Sequence, residues 1–168
     1  MVKKRPSTYA LLGALPHAVG YVGGPLAVSR LGRRHGWRRG RPGPINRAGV
    51  VPLALGAGLI GWAISSHYEA GPDELNATLV PTYLVQRGAY RVTRNPLYLG
   101  GASMQLGWAI LLGSAPVAAV GAGFVVGMDR LGIPFEERML KRRFGETYDS
   151  YRRDVPRWFS RRSLTRLS

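Results

Sequence analysis

Two short runs hold the residue types that could do chemistry. The first is Arg94-Asn95-Pro96-Leu97-Tyr98-Leu99-Gly100-Gly101, which leads into an apolar segment. The second is Phe135-Glu136-Glu137-Arg138-Met139-Leu140, which leaves another apolar segment and runs on through Phe144-Gly145-Glu146-Thr147-Tyr148 to Tyr151. Asn95 suits a helix N-cap, and Pro96 suits the first helical position, where a missing N–H costs nothing. The open N–H groups and positive dipole end of such a helix attract a carboxylate or phosphate. Arg87, Arg91 and Arg94 add positive charge nearby. The plainer reading is a capped helix with arginines at lipid headgroups. Adjacent helical residues point in different directions, so one of Glu136 and Glu137 can face a pocket while the other pairs with Arg. A carboxylate there accepts hydrogen bonds from an ammonium group or from ribose hydroxyls. Glu137 and Lys141, four apart, could instead pair on the helix surface. Phe144-Gly145 reads as a helix stop with Gly as cap. Tyr148 and Tyr151 share one face of the helix that follows.

The elements that must position these runs are membrane helices. The chain has 168 residues, which predicts one domain over 1–168. It carries 24 Lys plus Arg against 9 Asp plus Glu, a net charge of +15. That balance points to nucleic acid or to an anionic membrane surface. Clustering favours the membrane, because nearly uncharged apolar stretches alternate with Arg-rich loops. No fold signature supports nucleic acid. Without cysteine there is no disulfide, thiolate chemistry or Cys-ligated metal. His17, His35 and His67 are scattered, so no metal site is expected.

The expected fold is all-α and polytopic, with about four transmembrane helices over 7–29, 48–67, 97–112 and 115–130. The last two form a hairpin about the turn Gly113-Ser114-Ala115-Pro116. Residues 131–168 form a cytosolic tail with a C-terminal helix. The first segment carries Pro16, Gly23-Gly24 and Pro25 and should be kinked. Between the first two spans lies a basic loop with Arg30, Arg33, Arg34, Arg38, Arg39, Arg41 and Arg47. Its bland reading is a solvated or headgroup-facing loop, and its sharper one an anionic-lipid patch. Gly56, Gly58, Gly61, Gly100, Gly101, Gly107, Gly121, Gly123 and Gly127 would let helices approach closely. Asn76-Ala77-Thr78 matches a glycosylation sequon, a motif short enough to arise by chance. Gln105, Asp129 and Tyr148 are polar residues at or beside membrane depth and are the candidate substrate contacts.

Gly88-Ala89-Tyr90, the Arg94-to-Gly100 run, Leu106-Gly107-Trp108-Ala109, Glu136-Glu137 with Leu140, Phe144-Gly145 and Tyr148/Tyr151, taken in order, resemble the integral membrane methyltransferases. These include isoprenylcysteine carboxyl methyltransferase and phosphatidylethanolamine N-methyltransferase. The resemblance covers roughly 48–159. It implies S-adenosylmethionine as methyl donor, bound at the cytosolic face. It also implies a cofactor site made of Gly88, Tyr90, Arg94, Asn95, Pro96, Tyr98, Gly100, Glu136 and Glu137, with Arg94 and Glu137 as the catalytic pair. Asn95 stands where carboxyl methyltransferases of the family usually have His, and looks more like the phospholipid N-methyltransferases.

Methyl transfer from a sulfonium is a direct displacement, so the protein mainly aligns donor and acceptor. A carboxylate acceptor needs no base, whereas an amine or hydroxyl must lose a proton. Expected partners are a lipid or hydrophobic small molecule and the membrane itself; oligomeric state is left open. The competing reading is a non-enzymatic membrane protein that binds anionic lipid or a partner through its Arg-rich loops. In that case Asn95 and the Glu pair are dispensable.

Overall fold

The computed structural model describes residues 19–70 and 83–159. Residues 7–18 of the first expected span, the Asn76 sequon and the end of the tail beyond 159 lie outside them.

The described chain is mostly helical. A π-type turn, Val19–Gly23, leads into the short helix α1 (Gly24–Val28) and a 3-10 turn, Ser29–Leu31. In its described part this segment departs from regular α geometry on both sides of α1. The Arg-rich loop contains a two-stranded ribbon, β1 (Trp37–Arg38) with β2 (Arg41–Pro42), in antiparallel register. Arg39 and Gly40 turn it with φ of 49° and 74°, the left-handed pair that tight hairpins require. Next come α2 (Pro44–Arg47), α3 (Val50–Ala70), α4 (Pro96–Leu112) and α5 (Ala115–Gly127). A π-type turn at Met128–Gly132 passes without interruption into α6 (Ile133–Phe144), and α7 (Glu146–Asp154) closes the described helices.

Two helical stretches are long and apolar enough to cross a membrane: Pro44–His67, and the continuous Ala115–Phe144. Only 17% of each apolar window is buried inside the molecule. Val51, Leu55, Val120 and Val126 face outward, as lipid-facing side chains do and the core helices of a soluble protein do not. At 17 residues α4 is shorter.

Helices α3 and α4 pack antiparallel through glycines. A Cβ on Gly107 would stand 2.7 Å from the Gly49 carbonyl oxygen, and one on Gly100 2.9 Å from that of Gly56. Nothing larger than hydrogen fits there. A Cβ on Gly101 would stand 2.8 Å from the Tyr21 side chain, and one on Gly121 3.1 Å from Gln105 Cβ, a tight contact that a small side-chain shift relieves. Among the described residues, Gly58, Gly61, Gly123 and Gly127 have nothing within 4 Å, so the close approach found there is confined to the other five. The α4–α5 turn follows the sequence closely. Gly113 caps α4 at φ 57°, and Ser114 Oγ accepts from Val117 N.

The ribbon folds back onto the end of α4 away from Asn95. Trp37 Nε1 donates to Leu111 O at 3.0 Å, and His35 N to Gly113 O at 2.8 Å. Asn46 Nδ2 donates to both His35 O and Ile110 O. These bonds satisfy carbonyls that the last turn of a helix leaves open. At the opposite end, Tyr148, Tyr151 and Val155 form a small core with Leu84, Leu140 and Phe144. The shared face of Tyr148 and Tyr151 thus turns inward. The two ends are separated by the length of α4, about 25 Å at 1.5 Å per residue.

Candidate functional site

Asn95 occupies the N-cap position of α4, but its side chain does not cap the helix. Its Nδ2 donates instead to the Arg157 carbonyl at 3.0 Å. The Thr93 hydroxyl donates to that same carbonyl at 2.8 Å and accepts from Asn95 N. Arg94 N donates to Pro156 O at 3.0 Å. Residues 155–158 therefore lie across the start of α4 as a strap. The capping expected from sequence loses to these longer-range bonds.

Arg94 and Glu137 face each other in the buried space between α4 and α6. Arg94 Nη2 lies 2.9 Å from Glu137 Oε1, with the two side chains 10% and 12% exposed. Arg94 Nη1 also donates to Arg152 O, while its Nε is buried with no partner among the described residues. Glu137 is gripped from its other side by Arg157, through Nη2 to Oε2 at 2.7 Å and Nε to Oε1 at 3.3 Å. That grip raises the Arg157 pKa further above its ordinary value. Lys141 pairs with Asp149 at 3.2 Å, so the surface pair of Glu137 with Lys141 does not form. The neighbouring carboxylate is differently placed. Glu136 has one hydrogen-bond partner among the described residues, the Tyr98 hydroxyl, which donates to Oε2 at 2.8 Å.

These groups surround a small, partly open cleft lined by Arg94, Asn95, Ile133, Glu136, Glu137, Leu140, Tyr148 and Tyr151. Ile133, Glu136, Glu137 and Leu140 recur at helical spacing on one face of α6, so charged and apolar side chains alternate along the cleft. The Tyr148 hydroxyl is pushed up to about 12, first by burial and then by Glu137. It stays protonated near neutrality and cannot act there as a base. Burial also raises Tyr151 and Tyr90.

Of the residues singled out in the sequence, Arg94, Asn95, Glu136, Glu137 and Tyr148 line the cleft directly. Tyr98 reaches it through Glu136, and Pro96 is fully buried at the start of α4. Asp129 lies in the π-type turn at the edge. It accepts from Trp158 Nε1 at 3.0 Å and pairs with Arg157 and Arg130 at 3.6 Å each. Gly88 and Tyr90 lie elsewhere, in a 3-10 turn (Gly88–Arg91) laid against α3. Gly88 adopts φ 55° over Ser66, whose Oγ accepts from Ala89 N. Tyr90 bonds His67 and, through its carbonyl, Tyr151. Gly100 serves the α3–α4 contact, and Gln105 the α4–α5 contact. Sequence reasoning passed over Thr93, Ile133, Arg157 and Trp158. Arg157 stands among many arginines, and nothing in its immediate neighbours marks it out.

No curated protein and no solved structure matches the chain. A family model of phospholipid methyltransferases matches residues 46–147. The matched stretch takes in α3, the Arg94–Asn95 run, the α4–α5 hairpin and the Glu136-Glu137 pair, and the chain belongs to that family.

Proposed function

We propose that the protein is an integral membrane enzyme that transfers a methyl group from S-adenosylmethionine to a lipophilic acceptor. The acceptor is a lipid amine, carboxylate or hydroxyl. The observation that carries the reading is the cleft itself, where the two chemistry-bearing runs meet among apolar side chains. The residues present fit the polar end of the donor. Arg94 has a buried, unpartnered Nε, a ready donor to a carboxylate. Glu136 keeps an oxygen that no other group among the described residues takes, suited to an ammonium or a ribose hydroxyl. Glu137 is largely taken up by two guanidiniums, so we assign it the holding of Arg94 and give the donor-facing role to Glu136.

When bound, the donor supplies a methyl group on a positively charged sulfonium. The chain's own part is to bind, orient and exclude water. Ile133 and Leu140, which flank the two glutamates on α6, offer apolar contact to a lipid-like acceptor. No side chain at the cleft is placed to take a proton from the acceptor near neutrality other than Glu136, which suits an acceptor that needs little base catalysis.

For topology we keep four spans over 7–29, 48–67, 97–112 and 115–130, with the cleft facing the cytosol. Arg87, Arg91, Arg94, Arg138, Lys141, Arg142, Arg143, Arg152, Arg153 and Arg157 lie at the cleft end, outnumbering the seven arginines at the ribbon end. That asymmetry follows the positive-inside tendency. The test is transfer of labelled methyl from S-adenosylmethionine into a mixed lipid extract by purified protein. The expected result is label in the organic phase that is lost in Glu136→Gln. A folded wild-type sample that labels no lipid or lipophilic carboxylate would overturn the reading in favour of a lipid- or partner-binding protein.

A further inference from the structure

The strap at 155–158 lies beyond the stretch that the family model matches, yet it touches both halves of the cleft. Arg157 makes the connection in two directions. Its carbonyl oxygen accepts from Thr93 Oγ1 at 2.8 Å and Asn95 Nδ2 at 3.0 Å. Its guanidinium forks onto Glu137, with Nη2 to Oε2 at 2.7 Å and Nε to Oε1 at 3.3 Å. The remaining nitrogen, Nη1, leans on Asp129 at 3.6 Å, which Trp158 also holds. One residue thus fastens the start of α4 to the middle of α6.

The direction of approach decides what this contact is for. Arg157 does not line the cleft, whereas Arg94, Glu136 and Glu137 do. It reaches Glu137 from behind, so it leaves the open space free. A residue that plugged the cleft would instead line it. The fork geometry matters too. Two parallel bonds to one carboxylate fix its plane as well as its position, which a single ammonium cannot do.

We propose that Arg157 is a positioning residue of the methyl-transfer site, clamping the Asn95 end of α4 and the Glu137 carboxylate in register. It acts through Glu137, which in turn aims Arg94 into the cleft. Asp129 and Trp158 serve the same clamp by holding the guanidinium and the strap. The proposal rests on the methyltransferase reading for its functional consequence, but the clamp itself is a statement about geometry.

The test compares full-length wild type, Arg157→Ala, Arg157→Gln and Arg157→Lys in detergent. S-adenosylmethionine affinity is read by calorimetry, and amide exchange by mass spectrometry over residues 92–99. Arg157→Ala and Arg157→Gln are expected to weaken donor binding about tenfold, the loss of a partly exposed charged hydrogen bond. Arg157→Lys is expected to recover part of it, because charge returns without the fork. Exchange over residues 92–99 should rise in Arg157→Ala while α3 stays protected. Donor affinity unchanged in Arg157→Ala would overturn the clamp, and tighter binding would show a plug instead. If folded wild type binds no donor, the methyltransferase reading falls. The clamp is then judged on exchange alone, and unchanged protection over residues 92–99 would overturn it.

Discussion

Replacing Glu137 by Leu should cost far more than replacing Glu137 and Arg94 together. In the single variant the Arg94 guanidinium keeps its burial, at 10% exposure, and loses its carboxylate at 2.9 Å. Among the described residues its Nε already lacks a partner, leaving Nη1 to Arg152 O as the one bond that holds the charge there. Breaking one side of a buried pair costs roughly 3–5 kcal/mol, because the other charge is left uncompensated. The lower end, about 3 kcal/mol, applies here, since Nη1 stays bonded. For a domain of this size, each kcal/mol shifts the unfolding midpoint by about 2–4 °C. Glu137→Leu should therefore unfold about 6–12 °C below wild type. The double variant Glu137→Leu/Arg94→Leu removes both charges and fills the space with apolar groups. Its stability should return to within about 1 kcal/mol of wild type, as apolar replacement of buried ion pairs commonly does. Arg157 loses Glu137 in both variants, but it is one-third exposed and retains Asp129, so it contributes little to the difference. The assay is thermal unfolding in one detergent, followed by helical circular dichroism. A double variant as unstable as the sum of its singles would refute the reasoning, as would a Glu137→Leu protein that melts with wild type.

Four further outcomes follow from the same contacts. Gly107→Ala forces a Cβ to within 2.7 Å of the Gly49 carbonyl oxygen, and should destabilise by about 2 kcal/mol as overpacking does; Gly58→Ala, with nothing within 4 Å, should be neutral or gain up to about 1 kcal/mol, both by thermal unfolding. Asn46→Ala strips the His35 and Ile110 carbonyls of their shared donor, at a cost of about 1–3 kcal/mol. It should also speed tryptic cleavage at Arg33–Arg41, mapped by mass spectrometry. Tyr148 is held protonated by burial, its folded value about 12 against an ordinary 10.0. Because the folded value is the higher one, its contribution to stability is complete below pH 10 and lost as pH rises toward 12. Alkaline unfolding over that window, followed by tyrosinate absorbance, should therefore be less steep in Tyr148→Phe. Tyr98→Phe removes the donor to Glu136 and should change S-adenosylmethionine affinity with little change in midpoint, read by calorimetry beside a melting curve.

The parts of this fold that sequence reveals are those written in local chemistry. Gly113, Ser114 and Pro116 specify the α4–α5 turn within a few residues, so the hairpin boundaries at 112 and 115 were legible. The uncharged run from Ala48 to His67 announced its helix for the same reason. The pairing of Arg94 with Glu137 was legible only as a possibility, since adjacent glutamates do not say which one turns inward. What escaped was long-range. Asn95 reads as a cap, yet its side chain is drawn away by a carbonyl 62 residues further along the chain. Arg157 and Arg153 look alike in sequence, and only the path of the strap after Asp154 separates them. The ribbon at Trp37–Pro42 lay hidden in a loop whose arginines dominate its composition. Its docking depends on the carbonyls at the end of α4, which no local pattern encodes. The helix from Ala115 to Phe144 hid its continuity, because the charges from Asp129 onward read as a helix end rather than as a π-type turn within one helix.

The most direct test of the account is calorimetric titration of S-adenosylmethionine into detergent-purified wild type and Glu136→Gln. Glutamine keeps an acceptor for Tyr98 and removes only the charge, so the fold is undisturbed. The account predicts saturable binding to wild type, weakened about tenfold or more in Glu136→Gln by loss of a charged hydrogen bond. Folded wild type that binds no donor, or a Glu136→Gln variant that binds it equally well, would contradict the assignment of this cleft as the donor site.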